Sequence, residues 1–138
     1  MANPPKDPTM QVPLILWAAM LVSHILFLVV GHVARPPDGA GAGDVQMISI
    51  TLTGVGVVVA LLSALGVPLF ARTQAFLTAM ILRFALAEAV SIFGLTLAML
   101  GADMQWTYAL TALGVMAHIA AFPSEREREA HERRRGGA

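Results

Sequence analysis

The chain contains no cysteine, which removes disulfides, thiolate-bound zinc and thiol catalysis while leaving the redox compartment open. Charge is scarce as well: only 13% of the 138 residues are charged, and 9 Lys and Arg balance 9 Asp and Glu. Without a basic excess there is no electrostatic footprint for nucleic acid, and no nucleic-acid partner is expected. The histidines are scattered, and no nucleophile–base pair or phosphate-binding loop can be read. The chain is therefore not expected to be an enzyme or to carry a metal or cofactor. What is abundant is apolar: 57% of residues are hydrophobic, and the mean hydropathy is +0.69. These residues come in unbroken blocks, each reaching the ~20 residues a helix needs to cross a bilayer.

Taken in order, residues 1–11 form a polar tail whose Pro4, Pro5 and Pro8 forbid a helix. Residues 12–123 read as one membrane domain with four spans, 12–33, 47–70, 75–100 and 106–122. A cleaved signal peptide would have a shorter apolar core of ~7–15 residues behind a basic start, and only Lys6 precedes the first span, so a retained helix is expected. The Gly- and Pro-rich stretch Ala34 to Val45 reads as a solvated loop. Between the second and third spans the link Ala71-Arg72-Thr73-Gln74 is short enough to force an antiparallel hairpin. Trp106 and Tyr108 mark an interfacial belt at the start of the fourth span, and Pro123 ends it. In the charged tail 124–138, Ser124-Glu125-Arg126-Glu127 has capping-box spacing ahead of a short helix. Its five arginines and four glutamates suggest a solvated helix that sets orientation.

Lys6, Arg72, Arg126, Arg128, Arg133, Arg134 and Arg135 fall on one side of a four-span topology, and only Arg35 falls on the other. Basic residues favour the cytoplasmic side. The expected fold is thus an all-α integral membrane four-helix bundle with both termini cytoplasmic, in a bacterial inner (plasma) membrane, its surroundings the lipid bilayer.

Small residues recur every three or four positions on two spans. Gly56, Ala60 and Ala64 line the second, and Ala87, Ser91, Gly94 and Ala98 line the third, which lets helices approach closely. Against this background the third span carries Arg83 and Glu88. An ionised group near the bilayer centre costs about 2.5–3.5 kcal/mol on insertion scales, so a chain that retains one pairs it internally or uses it. The two lie about 140° apart on the helix surface and cannot easily pair with each other. His24 in the first span reads first as a packing residue bonded to a neighbouring helix. His118 reads as interfacial, near the end of the fourth.

The run Ala85-Leu86-Ala87-Glu88-Ala89-Val90-Ser91-Ile92-Phe93-Gly94-Leu95 resembles the second helix of the c subunit of F-type rotary ATP synthases. In that family a run of the form A-L-x-E-A-x-x-I-Y-G-L carries the carboxylate that takes up and releases the translocated ion. Ala71-Arg72-Thr73-Gln74 looks like a degraded form of the family's Arg-Gln-Pro loop. The resemblance implies that Glu88 is a proton-binding carboxylate. It covers about residues 51–100 and leaves the first and fourth spans without counterparts. Arg83 stands where the family has a small or apolar residue. Ala89 and Phe93 offer no side-chain oxygen for a hard cation, which favours a proton over sodium.

Two functions stay open. In one, Glu88 binds and passes protons, alone or within a homo-oligomer or a membrane complex. In the other, the protein is a non-transporting structural or accessory unit whose Arg83, His24, Ser91, His118 and Glu88 form an internal polar network. At ~1.5 Å rise per residue, Glu88 and His24 lie at similar depth, ~20 and ~18 Å from the cytoplasmic face, with Arg83 at ~12 Å and His118 at ~6 Å. His24 is therefore expected to approach Glu88. Arg83 is expected to reach a helix carbonyl, His118 or the headgroup layer.

Overall fold

The computed structural model describes residues 10–37 and 45–136. Residues 1–9 of the expected N-terminal tail and most of the Gly/Pro-rich loop lie outside these residues, and Gln11, placed in that tail from the sequence, already opens the first helix. Among the described residues every regular element is helical. Helix α1 is Gln11–Ala34, α2 is Val45–Leu61, α3 is Val67–Phe70, α4 is Phe76–Met99, α5 is Met104–Ala120 and α6 is Glu125–Gly136. Three helical stretches are long and apolar enough to cross a membrane: Gln11–Ala34, Val45–Thr73 and Phe76–Met99. The 17 residues of α5 give about 25 Å of helix.

The stretch Val45–Thr73 is not one regular helix. Pro68 has no N–H for the Ala64 carbonyl, and its ring crowds the turn before it. There the backbone widens into a π-helical turn, Leu62–Gly66, closed by Val67 N–H donating to the Leu62 carbonyl. A 3₁₀ turn, Ala71–Thr73, then leads into α4. At the other end of α4, Gly101 takes a left-handed conformation with φ 78°. This lets Ala102 N–H reach back to the Leu97 carbonyl at 3.0 Å and close the helix end.

Helix α4 is the centre of the molecule. It packs most extensively on α5, then on α1, then on α2. Phe84, Ala87, Val90, Leu97 and Ala98 along it are all 0% exposed. The outward surface is the reverse of a soluble protein's: Ile15, Val22, Ile25 and Val33 on α1, and Met47, Leu65, Leu69 and Phe70 along 45–70, are all exposed. So large an apolar surface is favourable only against lipid or another apolar partner.

The small-residue stripe on α4 does not chiefly close the hairpin with the preceding span. It receives α5 and α1 instead. A Cβ added at Gly94 would lie 3.1 Å from the Thr107 carbonyl oxygen and 3.3 Å from Leu110 Cβ, and one added at Gly31 would lie 3.2 Å from Ala98 Cβ. Thr107 Oγ1 donates to the Gly94 carbonyl at 2.9 Å across this contact. On α2, Gly56 and Ala60 are buried, and Ala64 in the π-helical turn that follows is half-buried. Gly56 faces Leu110 of α5 together with Val90 and Phe93 of α4.

The closest approach is at Gly114 of α5. A Cβ there would run into Ser91 Oγ and would lie 2.8 Å from the Ala87 carbonyl oxygen. Gly114→Ala is therefore expected to lose about 1–3 kcal/mol through overpacking. Gly54→Ala is the control, since a Cβ at Gly54 meets nothing within 4 Å. Thermal unfolding of both variants in mild detergent should show a lowered midpoint for the first alone.

Candidate functional site

The polar side chains of α1, α4 and α5 meet in one layer because of simple helical arithmetic. Glu88 and Ser91 are three positions apart and share a face of α4. Ser23 and His24 are neighbours on α1, separated by about 100° of rotation, so they can straddle that face. Ser23 Oγ is hydrogen-bonded to Glu88 Oε1 and also donates to the Met20 carbonyl at 2.7 Å. His24 Nδ1 is hydrogen-bonded to Ser91 Oγ at 2.6 Å. Depth alone pairs His24 with Glu88. The rotation of α1 instead gives Glu88 to Ser23 and His24 to Ser91, a one-residue difference that depth arithmetic cannot resolve.

Two turns before His24 on the same helix, Trp17 faces α5. Its indole N–H donates to the His118 carbonyl at 3.0 Å, and His118 Nε2 donates to the Trp17 carbonyl at 2.9 Å. This reciprocal pair locks α1 to α5. The His118 ring lies 5.1 Å from those of both His24 and Phe84, and Phe122 meets Trp17 edge-on at 5.1 Å. His118 is consequently 0% exposed, and the interfacial, snorkelling role expected for it is corrected. Its distance from the end of its own helix is short, but Trp17 and Phe84 from other helices close over it.

Arg83 is on a separate part of α4 and serves a different contact. Its guanidinium forms an ion pair with Glu127 through Nη1, and Nη2 donates to the Ala120 carbonyl at 2.9 Å. Its own carbonyl accepts from Ser63 Oγ at 2.9 Å, at the π-helical turn. The last turn of α5 has carbonyls with no helical partner, which suits a guanidinium.

Helix α6 is docked, which corrects the expectation of a wholly solvated tail. Glu127 N–H donates to Ser124 Oγ at 3.2 Å, the cap contact that starts the helix. His131 is 3% exposed, and its Nε2 donates to the Gln74 carbonyl at 3.0 Å. Phe76 packs edge-on against the His131 ring at 5.9 Å. The arginines Arg133, Arg134 and Arg135 stay exposed.

Three contributors escaped the reading of the sequence: Ser23, Trp17 and Glu127. A signal existed for the last. A buried arginine demands a counter-charge, and the acids Glu125 and Glu127 in the first turn of α6 follow the last span at the end of the bundle towards which Arg83 is expected to point. Among the described residues no group of three or more metal-ligating side chains occurs.

The Arg83–Glu127 contact sets a measurable coupling. Glu127→Gln is expected to cost about 1–3 kcal/mol, below the full range for a broken buried pair because the Glu127 side chain is 27% exposed. The double variant Arg83→Met/Glu127→Gln should cost clearly less than the sum of the single ones in a detergent unfolding cycle. Additive costs would mean that the pair contributes no coupling.

No protein-family model matches this chain, and no curated protein or solved structure matches it.

Proposed function

We propose that this chain is an integral membrane protein of a bacterial inner membrane, in which α1, 45–73, α4 and α5 cross as a four-helix bundle with both termini cytoplasmic, and that its Glu88 binds and passes protons. The apolar exterior supports the membrane reading. The contact of His131 with Gln74 supports the topology, because it brings α6 and the turn holding Arg72 to one end of the molecule, where most of the basic residues then gather.

The observation that carries the proton reading is a count of hydrogens at Ser23. Its hydroxyl has one hydrogen, and the Met20 carbonyl, which can only accept, lies at 2.7 Å. If Glu88 is a carboxylate, two acceptor oxygens compete for that hydrogen. If Glu88 is a carboxylic acid, its own O–H donates to Ser23 Oγ and both contacts are satisfied. Arg83, the cation nearest in sequence, is engaged by Glu127 and Ala120 instead. A neutral acid is also the inexpensive form in an apolar surround. These features agree with the proton chemistry that the resemblance to rotary c subunits implies. Glu88 is half-buried, and its contact with Ser23 of α1 favours a self-contained protein over a rotor ring, whose carboxylate must meet a stator at the outer surface.

A second reading, a non-transporting accessory protein, is favoured by the closed Arg83–Glu127 contact, which needs no ligand. The two separate experimentally. A hydrophobic carbodiimide reacts with a protonated acid in an apolar setting, so Glu88 in membranes is expected to be modified, with labelling that declines as pH rises and disappears in Glu88→Gln. Folded protein that stays unlabelled at every pH would remove the proton reading and leave the accessory one. The native mass in detergent is expected to be that of one or two copies. A uniform ring-sized assembly would instead support the rotor form.

A further inference from the structure

The contacts of the polar layer leave two imidazole nitrogens over. His118 donates from Nε2 to a carbonyl, so that nitrogen carries the hydrogen and Nδ1 is the basic one. His24 engages Ser91 through Nδ1, which leaves its Nε2. Both leftover atoms, His118 Nδ1 and His24 Nε2, are buried without a hydrogen-bond partner. The rings that carry them are 0% exposed and meet edge to face, with centroids 5.1 Å apart and planes at 75°. Buried polar atoms are nearly always paired, so two unpaired ring nitrogens, of which His118 Nδ1 is basic, need a reason where the rings touch. Among the described residues no group of three or more side chains placed to hold a metal ion includes them, so a metal does not supply one.

We propose that His24 and His118 together form a second proton-holding site that accepts one proton per pair and exchanges it with Glu88. The surroundings suit a single positive charge. From α4, Glu88 sits one helical turn from Ser91 on the same face, Ser91 holds His24, and Phe84 stacks on His118. From α1, Trp17 supplies the accepting carbonyl. Arg83 and Glu127 of α6, the next charges along, neutralise each other. In the exchange the O–H bond of the Glu88 carboxyl breaks and its electron pair stays on the carboxylate. An N–H bond forms at His118 Nδ1, or at His24 Nε2 where His24 Nδ1–H donates to Ser91 Oγ, and the product is an imidazolium with the Glu88 carboxylate as its counter-ion. No net charge enters the layer. A second proton would set two imidazolium rings in contact and is excluded by their repulsion. As a partner of Glu88 the pair rests on the proton-binding reading given above; as a proton site it does not.

The test is ¹⁵N NMR of the full-length protein with labelled histidine, in phospholipid nanodiscs between pH 4 and 9. His24 and His118 are expected to change together, at one common midpoint, with a loss of unprotonated-nitrogen signal equal to one proton per molecule. The exposed His32 serves as the independent reference. Two neutral rings throughout, two separate transitions, or the uptake of two protons would each overturn the proposal. A shared transition that persists in Glu88→Gln supports the pair as a site in its own right. A shared transition in protein whose Glu88 resists carbodiimide supports the pair while removing Glu88 as its partner, so the two readings fail separately.

Discussion

An apolar surround offers no hydrogen-bond partner, and α4 carries Arg83, Glu88 and Ser91 through the middle of the most buried helix of the molecule. Each of these groups must be met by a neighbouring helix or remain at a cost of several kcal/mol. The arrangement of the other helices follows from that demand. Helix α1 brings Ser23 to Glu88 and His24 to Ser91. The end of α5 and the first turn of α6 together meet Arg83. The π-helical turn after α2 supplies Ser63 to the backbone of the same residue.

Such short side chains can meet only if the backbones are close, and the small residues make this so. Ser23 and Ser91 have short reach, so α1 and α5 must approach α4 at Gly31, Gly94 and Gly114. Packing and polarity are thus one device rather than two. Without a driving force from water, helices in lipid associate through close van der Waals contact and interhelical hydrogen bonds. The stripe on α4 supplies the first and the polar layer the second.

Helix α6 joins this device from outside. Its sequence is the most polar of any element, yet one side is anchored through Glu127, His131 and the ring contact with Phe76. The arginines that follow are exposed, Arg133 paired with Glu129 at 3.7 Å.

Much of this was legible in the amino-acid order, for reasons that are local. Apolar block length defines α1, α2, α4 and α5 as helices, Ser124 and Glu127 mark where α6 begins, and the isolation of Arg83 and Glu88 in an apolar run singles them out without reference to any other helix. Partners were a different matter. Which of Ser23 and His24 reaches Glu88 depends on a rotation of about 100° of α1 about its axis, and a helix apolar on every side carries no periodic signal of that rotation. His118 looks superficial when counted along α5 and is buried once Trp17 and Phe84 are laid over it. The pairing of Arg83 with Glu127 joins residues 44 positions apart. The sequence by itself determined that α4 carries polar groups that its neighbours must satisfy. Tertiary structure alone decided which neighbour satisfies each, because helix rotation and docking are set by the packing of whole surfaces and not by any one segment.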